Sequence, residues 1–372
     1  MGVSPIASGN ATIACAFVGL LDVEERVGDN PAFSPAATQF QECMIAAFGG
    51  TDLDVTHIYA LRPVPSFPRH RRLAYRRRYA SLVGDIPATL IGFVNFGPLK
   101  TITSGLTLFP RLLAWAWRER ARPRVIMQYH LATPPAIVEV IAARMTGSHV
   151  IPIVADIQVP GSGLLPGTLT RRLEFGLQRR TLPLCDGLIV LTRRMVDDFA
   201  PRVAFVLMEG AVPAALLAPL PASRTPANGS VSAGQIFVLM YAGGLSALKG
   251  IPLLLSAFAM LKGDEYALWI TGRGPLEGLV REAAAGDPRI TYWGFPDQPE
   301  LLQLYKLADA LVNPHAATHE SARYLFRSKL IEYLATGIPV VSTCSTREVG
   351  EICDHVAGVV PGDSAPDIAG QI

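Results

Sequence analysis

The chain has 372 residues, half of them apolar and 17% charged, with a formal net charge of +2. That length suggests two domains of ordinary size, and that composition supplies large cores and excludes a disordered chain. Five scattered cysteines (Cys15, Cys43, Cys185, Cys344, Cys353) with no C-x-x-C spacing argue against a disulfide framework or a zinc site, and fit buried thiols in a reducing compartment.

Residues 11–19 (ATIACAFVG) predict a first buried strand. No basic stretch precedes this apolar run, so it does not read as a secretion signal. A helix is expected over 36–48, stopped by Gly49-Gly50, and a second strand over 54–60. Strand alternating with helix predicts a parallel sheet covered on both faces. The pattern breaks at 62–79, where six arginines fall between Arg69 and Arg78 with Tyr75 and Tyr79 interleaved. Three readings stay open: a solvated loop leading into an exposed helix, a patch for anionic membrane headgroups, or a nucleic-acid surface. The last ranks lowest, because no nucleic-acid motif accompanies the basic run.

A further strand is expected over 88–94, then an amphipathic helix over 101–118 that either packs on the sheet or lies at a membrane interface with Trp115 and Trp117. No stretch reaches the roughly 20 uncharged apolar residues of a spanning helix. Strands are expected over 125–129 and 149–154, with a helix over 135–145 between them. His130 and Asp156 fall just beyond these strand ends, where open α/β sheets bind ligands. Either residue serves as well for a turn contact as for binding. A basic helix over 165–182, a strand over 186–192, a short helix over 193–199 and a strand over 203–210 complete a first domain, 1–210. Residues 211–234, rich in Pro, Ala, Ser and Gly, read as a linker. Up to Phe205 the balance of charge is +7, and beyond it −5, so the two halves face different partners.

The second domain, 235–372, opens with a strand over 236–241 that runs into Gly243-Gly244, then Lys249-Gly250 and a helix over 251–261. Strand, glycine turn and helix present backbone N–H groups to phosphate, and Lys249 adds a charge unless it is only a solvated turn lysine. The strand over 266–271 ends in Gly272-Arg273-Gly274-Pro275. A dinucleotide fingerprint fails there, since Glu277 stands where its third glycine belongs. Arg273 is either a phosphate cation or an exposed side chain. A strand over 290–293 leads to Gly294-Phe295, a helix over 301–308 and a strand over 310–313. Near the end, FRSKLIEYLATGIPVVST predicts a helix capped by Ser328 and stopped by Gly337, followed by a buried strand over 338–341. Glu332 lies in the first turns of that helix, behind an anion-attracting terminus. By itself this is also an ordinary helix–turn–strand unit.

This stretch resembles the donor-site helix of the retaining GT-B glycosyltransferases, the group that includes glycosyltransferase family 4. Glu332, Ala335, Gly337, Pro339 and Val340 match its pattern, in the variant with Ser-Lys-Leu ahead of the glutamate. Gly243, Leu245, Lys249 and Gly250 match the family's phosphate turn, with Gly244 where an arginine is usual. Gly272 to Pro275 match its Gly-x-Gly-Pro turn. Tyr324 stands where the family has a second glutamate, eight positions before Glu332, and His315, His319 and Glu320 are nearby substitutes.

The resemblance implies an α/β protein of GT-B fold: two doubly wound Rossmann-like domains facing a cleft. It implies a glycosyltransferase that uses no metal and no cofactor beyond a nucleotide-sugar co-substrate, UDP- or GDP-linked. Lys249 and Glu332 would be catalytic. Gly243, Gly244, Lys249, Gly272, Arg273, Gly294, Phe295, Ser328, Lys329, Leu330 and Glu332 would bind the donor. His130 and Asp156 would face a saccharide or lipid-linked acceptor. The expected place is the cytoplasm, at the inner face of the membrane through Arg69–Arg78, with no nucleic-acid partner. The family continues one or two helices further, so the chain is expected to stop short. A non-catalytic partner subunit and a nucleotide-sugar epimerase are the alternatives on the same fold.

Overall fold

A computed structural model describes residues 12–21, 35–131, 134–155, 157, 169–208, 210–212, 216, 236–314, 328–343, 358–360 and 364–372. The chain divides into two compact units, and the division falls between Ala211 and Val212. Of the stretch read as a linker, Val212 and Leu216 pack into the core of the second unit.

The first unit runs β1 (Ile13–Gly19), α1 (Pro35–Phe48), β2 (Leu53–Ala60), β3 (Ala74–Tyr75), β4 (Arg78–Ser81), β5 (Pro87–Leu90), β6 (Phe93–Val94), α2 (Leu99–Arg118), β7 (Arg124–Gln128), α3 (Pro135–Thr146), β8 (His149–Val150), β9 (Ile153–Val154), α4 (Leu169–Thr181), β10 (Leu188–Val190), α5 (Arg193–Phe199) and β11 (Phe205–Leu207). Its main sheet has the order β4-β5-β2-β1-β7-β8, and a bridge from Tyr129 to Ile153 continues it into β9-β10-β11. Every pairing is parallel except that of the edge strand β4. The strand expected over 149–154 is split in two, because Pro152 has no N–H to give a ladder.

The period of two along each strand sorts side chains to opposite faces. From β1, Ala14, Ala16 and Val18 enter one core while Cys15 and Phe17 enter the other. Both faces are buried, so the strand reads as a continuous apolar run, as a parallel sheet requires.

The arginine-rich stretch departs from the expected loop and exposed helix. It pairs instead with the next two strands of the chain: β3 runs antiparallel to β6 and β4 antiparallel to β5. Gly92 permits this, since a Cβ there would stand 2.9 Å from both the Tyr75 carbonyl oxygen and the Arg77 nitrogen.

The second unit runs β12 (Phe237–Ala242), α6 (Ile251–Met260), β13 (Tyr266–Thr271), α7 (Glu277–Gly286), β14 (Ile290–Tyr292), α8 (Gln298–Leu307), β15 (Ala310–Asn313), α9 (Ser328–Ala335), β16 (Val340–Thr343), β17 (Gly358–Val360) and α10 (Ala365–Ala369). Its sheet is wholly parallel in the order β14-β13-β12-β15-β16-β17. Strand order reverses between β12 and β15, the place where such sheets hold ligands beyond their carboxyl ends. Met240 and Ala242 of β12 face the α8 and α9 side, and Leu239 and Tyr241 face the α6 side. Among the described residues no helix is long and apolar enough to cross a membrane.

Candidate active site

Three glycine loops leave the carboxyl ends of β12, β13 and β14, and the structure laces them together. Gly243 donates to the Thr271 carbonyl at 3.1 Å, Leu245 to Arg273 at 2.9 Å, Leu276 to Leu245 at 3.0 Å, and Gly272 to Gly294 at 2.7 Å. The contacts need glycine: a Cβ on Gly272 would lie 1.8 Å from the Gly243 oxygen, and one on Gly274 2.2 Å from the Leu245 oxygen. Gly250, at φ +76°, opens α6 at the switch point, with its Cα against the Pro314 carbonyl after β15.

Many of the N–H groups expected to cradle phosphate are spent inside this turn. Lys249 donates its N–H to Ser246, Gly250 to Ala247 and Ile251 to Ser246, and Pro252 has none. Gly244, where the resembling family carries arginine, is exposed and has nothing within 4 Å of its Cβ position. Arg273 is exposed as well, its guanidinium 4.6 Å from the Phe295 ring centroid. Trp293 packs edge-on against Trp269 at 5.3 Å, and the Trp293 and Phe295 side chains are both exposed after β14.

Helix α9 supplies the carboxylate. Glu332 is 16% exposed, and both its oxygens are held: Oε1 accepts from Tyr305 Oη at 3.2 Å and Oε2 from Lys329 Nζ at 2.8 Å. Lys329 is therefore an ion-pair partner of Glu332. Tyr305 is fully buried, and burial together with the Glu332 charge holds its phenol well above the usual range, so it stays a donor. Leu330 is buried in the core with Met240 and Leu311. Ser328 begins the helix, and Gly337 ends it at φ +72°. The side chain of Ser328 lies outside the described residues, as do Asp156, His315, His319, Glu320 and Tyr324.

Sequence reasoning missed four tyrosines that hold this site. Tyr241 Oη donates to the Gly244 carbonyl at 2.9 Å, and Tyr292 Oη to the Gly272 carbonyl at 2.8 Å. Tyr333 Oη donates to the Ala242 carbonyl at 3.0 Å and accepts from the Ala242 N–H at 2.8 Å, tying α9 to the last residue of β12. Tyr305 is the fourth. Each sits at or near the end of an element that borders the loops, the one signal that could have found them. Beside them Asn313 Nδ2 donates to Ser342 Oγ at 3.0 Å, a buried polar pair joining the ends of β15 and β16.

In the first unit His130 follows β7 in the left-handed region, at φ +62°, and donates its N–H to the Ile153 carbonyl at 2.9 Å. That conformation is costly for a residue with a Cβ and clusters at functional sites. Next to β1, Gln41 is buried and clamps Leu20 through both its amide atoms, at 2.8 and 3.1 Å.

Residues 236–372 match the family described as glycosyl transferases group 1. No curated protein matches the chain. Among solved structures, a sucrose-phosphate synthase from Thermosynechococcus elongatus superposes with a TM-score of 0.65 at 18% identity, over 96% of this chain and 88% of that one. Anabaena HepE in complex with UDP and glucose gives 0.58 at 16% identity, over 96% and 88%. WaaG, a glycosyltransferase involved in lipopolysaccharide biosynthesis, gives 0.57 at 14%, over 96% and 89%. The second unit thus matches the group 1 glycosyl transferase family, in a chain that has the GT-B fold of these structures.

Proposed function

We propose that the chain moves a sugar from a nucleoside-diphosphate sugar to a saccharide or lipid-linked acceptor, with retention at the anomeric carbon and no cofactor besides the donor. The observation that carries this reading is Glu332, whose two oxygens are held by Tyr305 and Lys329. A carboxylate so fixed still has lone pairs for two ribose hydroxyls. The base would stack on the exposed rings that follow β14, Trp293 and Phe295. Lys249, with Arg273 freed from Phe295, would neutralise the leaving diphosphate, and the acceptor would attack on the face the diphosphate leaves. HepE, solved with UDP, favours uridine over guanosine. The acceptor would lie with the first unit near His130 and Asp156, at the cytoplasmic side of an anionic membrane reached through Arg69–Arg78.

A second reading, a non-catalytic partner subunit, is favoured by Gly244 in place of an arginine and by the turn N–H groups already bonded within the loops. Thermal denaturation with UDP, GDP, ADP and their sugar conjugates separates the two. A ligand at 100 times its Kd stabilises the fold by about 2.7 kcal/mol. An upward shift of several degrees with one nucleotide, abolished in Glu332→Ala, is the expected result. No shift with any nucleotide would leave the partner-subunit reading.

A further inference from the structure

Between Val55 and Arg118 the sequence holds ten lysines and arginines and one acidic residue, Asp85. The structure folds the middle of this stretch into a small platform. Phe67 donates its N–H to the Asn95 carbonyl at 3.0 Å and Asn95 donates its own to Leu73 at 2.7 Å. The Asn95 side chain donates to Pro65 and Arg72 at 3.0 and 3.1 Å. Val64, Tyr75 and Phe93 form the platform's buried centre, with Tyr75 and Phe93 stacked at 4.9 Å. Arg62 and Arg72 lie over the Tyr75 ring at 5.1 and 4.7 Å, and Lys100 Nζ donates to the Val64 carbonyl.

A platform built this way turns large apolar side chains outward. Phe67 and Phe96 lie with ring centroids 6.3 Å apart, and Leu99 donates its N–H to Phe96. Leu73, Val94, Ile102 and Leu106 are exposed as well, Leu73 and Phe96 by more than half. Leu99, Ile102 and Leu106 repeat at three and four residues along one face of α2, continuing the patch. Arg69, Arg71, Arg72, Arg76, Arg77 and Arg78 are exposed on the same fold-back. Phosphates alone would neutralise these arginines but leave two phenylalanines and several aliphatic side chains in water. An anionic lipid surface meets both demands, with cations at headgroup level and apolar groups below them.

We infer that this face docks the first unit on an anionic bilayer, with Phe67, Phe96, Leu99 and Ile102 inserted at the acyl boundary and Arg69–Arg78 on the headgroups. The inference rests on the membrane element of the proposed function and deepens it. The insertion is what the tertiary structure adds, since these four apolar residues all lie outside the basic run in sequence.

The test is flotation of the full chain with phosphatidylglycerol–phosphatidylcholine vesicles and with phosphatidylcholine alone. The parent should float with the anionic vesicles only, and less at high salt. The Phe67→Ser/Phe96→Ser pair, on exposed positions, should lower the bound fraction on the order of tenfold while keeping its salt dependence. Arg76, Arg77 and Arg78 changed together to Ser should weaken binding and flatten that dependence. In Phe96→Trp, lipid brominated on its acyl chains should quench fluorescence more than in the parent. No flotation, equal flotation on neutral vesicles, a phenylalanine pair that floats like the parent, or an unquenched Phe96→Trp variant would each overturn the inference. So would tight single-stranded RNA binding lost only in the arginine variant. Nucleotide melting shifts on the same samples separate this failure from that of the donor reading.

Discussion

In its proposed role as a ribose ligand, Glu332 depends on what holds it. A carboxylate on a helix surface samples several rotamers, whereas one bonded by a buried phenol and a lysine is set before ligand arrives. Tyr305→Phe deletes the bond to Oε1 and leaves a shielded charge short of one donor. A hydrogen bond to a charged group contributes about 1.5–3 kcal/mol, so nucleotide affinity should fall roughly 10- to 100-fold. Titration calorimetry with the cognate nucleotide and its 2′-deoxy form gives the sharper readout. The preference for the ribose form should shrink in Tyr305→Phe, whereas a merely structural role would weaken both alike. Tyr305 sits near the end of α8, but its pairing with Glu332 was not legible beforehand, because the two lie 27 residues apart.

At the scale of elements, the turn between β12 and α6 is tight at one end and open at the other. Gly250 has φ +76°, and its Cβ would meet the Pro314 oxygen at 1.3 Å. Gly250→Ala should therefore cost about 3 kcal/mol or more, visible as a lowered melting temperature. Gly244, six residues earlier, has open space around it. Gly244→Arg should melt within about 0.5 kcal/mol of the parent and bind nucleoside diphosphate about tenfold more tightly, through one added charge-assisted hydrogen bond. Unchanged affinity would show that the diphosphate lies elsewhere. Gly250 was legible only as a match to the resembling family's Lys-Gly pattern. The unequal freedom of 244 and 250 was not, because Pro314 belongs to a different strand end.

The response of the whole molecule to pH rests partly on Glu139. This α3 residue is fully buried, and among the described residues neither of its oxygens has a hydrogen-bond partner. Burial holds its carboxyl well above the usual range, so the folded state favours the protonated form. Unfolding above the ordinary carboxylate range releases a proton, so Glu139 costs stability that grows as pH rises from that range towards the folded-state value. Glu139→Met keeps the volume and removes the proton. It should stabilise the fold at pH 7 by about 1–3 kcal/mol, with a smaller gain at pH 4, measured by urea denaturation at both. A gain equal at the two pH values would mean that packing alone decides the effect.

The alternation of strands and helices, the glycine stops and the Glu332 helix were legible because each is local. Parallel strands buried on both faces must be continuous apolar runs, and a turn that needs positive φ must carry glycine. Gly337 and the run from Phe237 to Ala242 could each be read with no knowledge of their neighbours. What only the tertiary structure decided is what distant segments do to one another. The arginine-rich stretch became strands through pairing with residues 87–94, its apolar neighbours gathered into one outward patch, and Tyr292, Tyr305 and Tyr333 bonded groups in other elements or loops, 20 to 91 residues away. A hydroxyl at the end of a ring bonds whatever the fold brings within 3 Å or so, and sequence spacing carries no record of that.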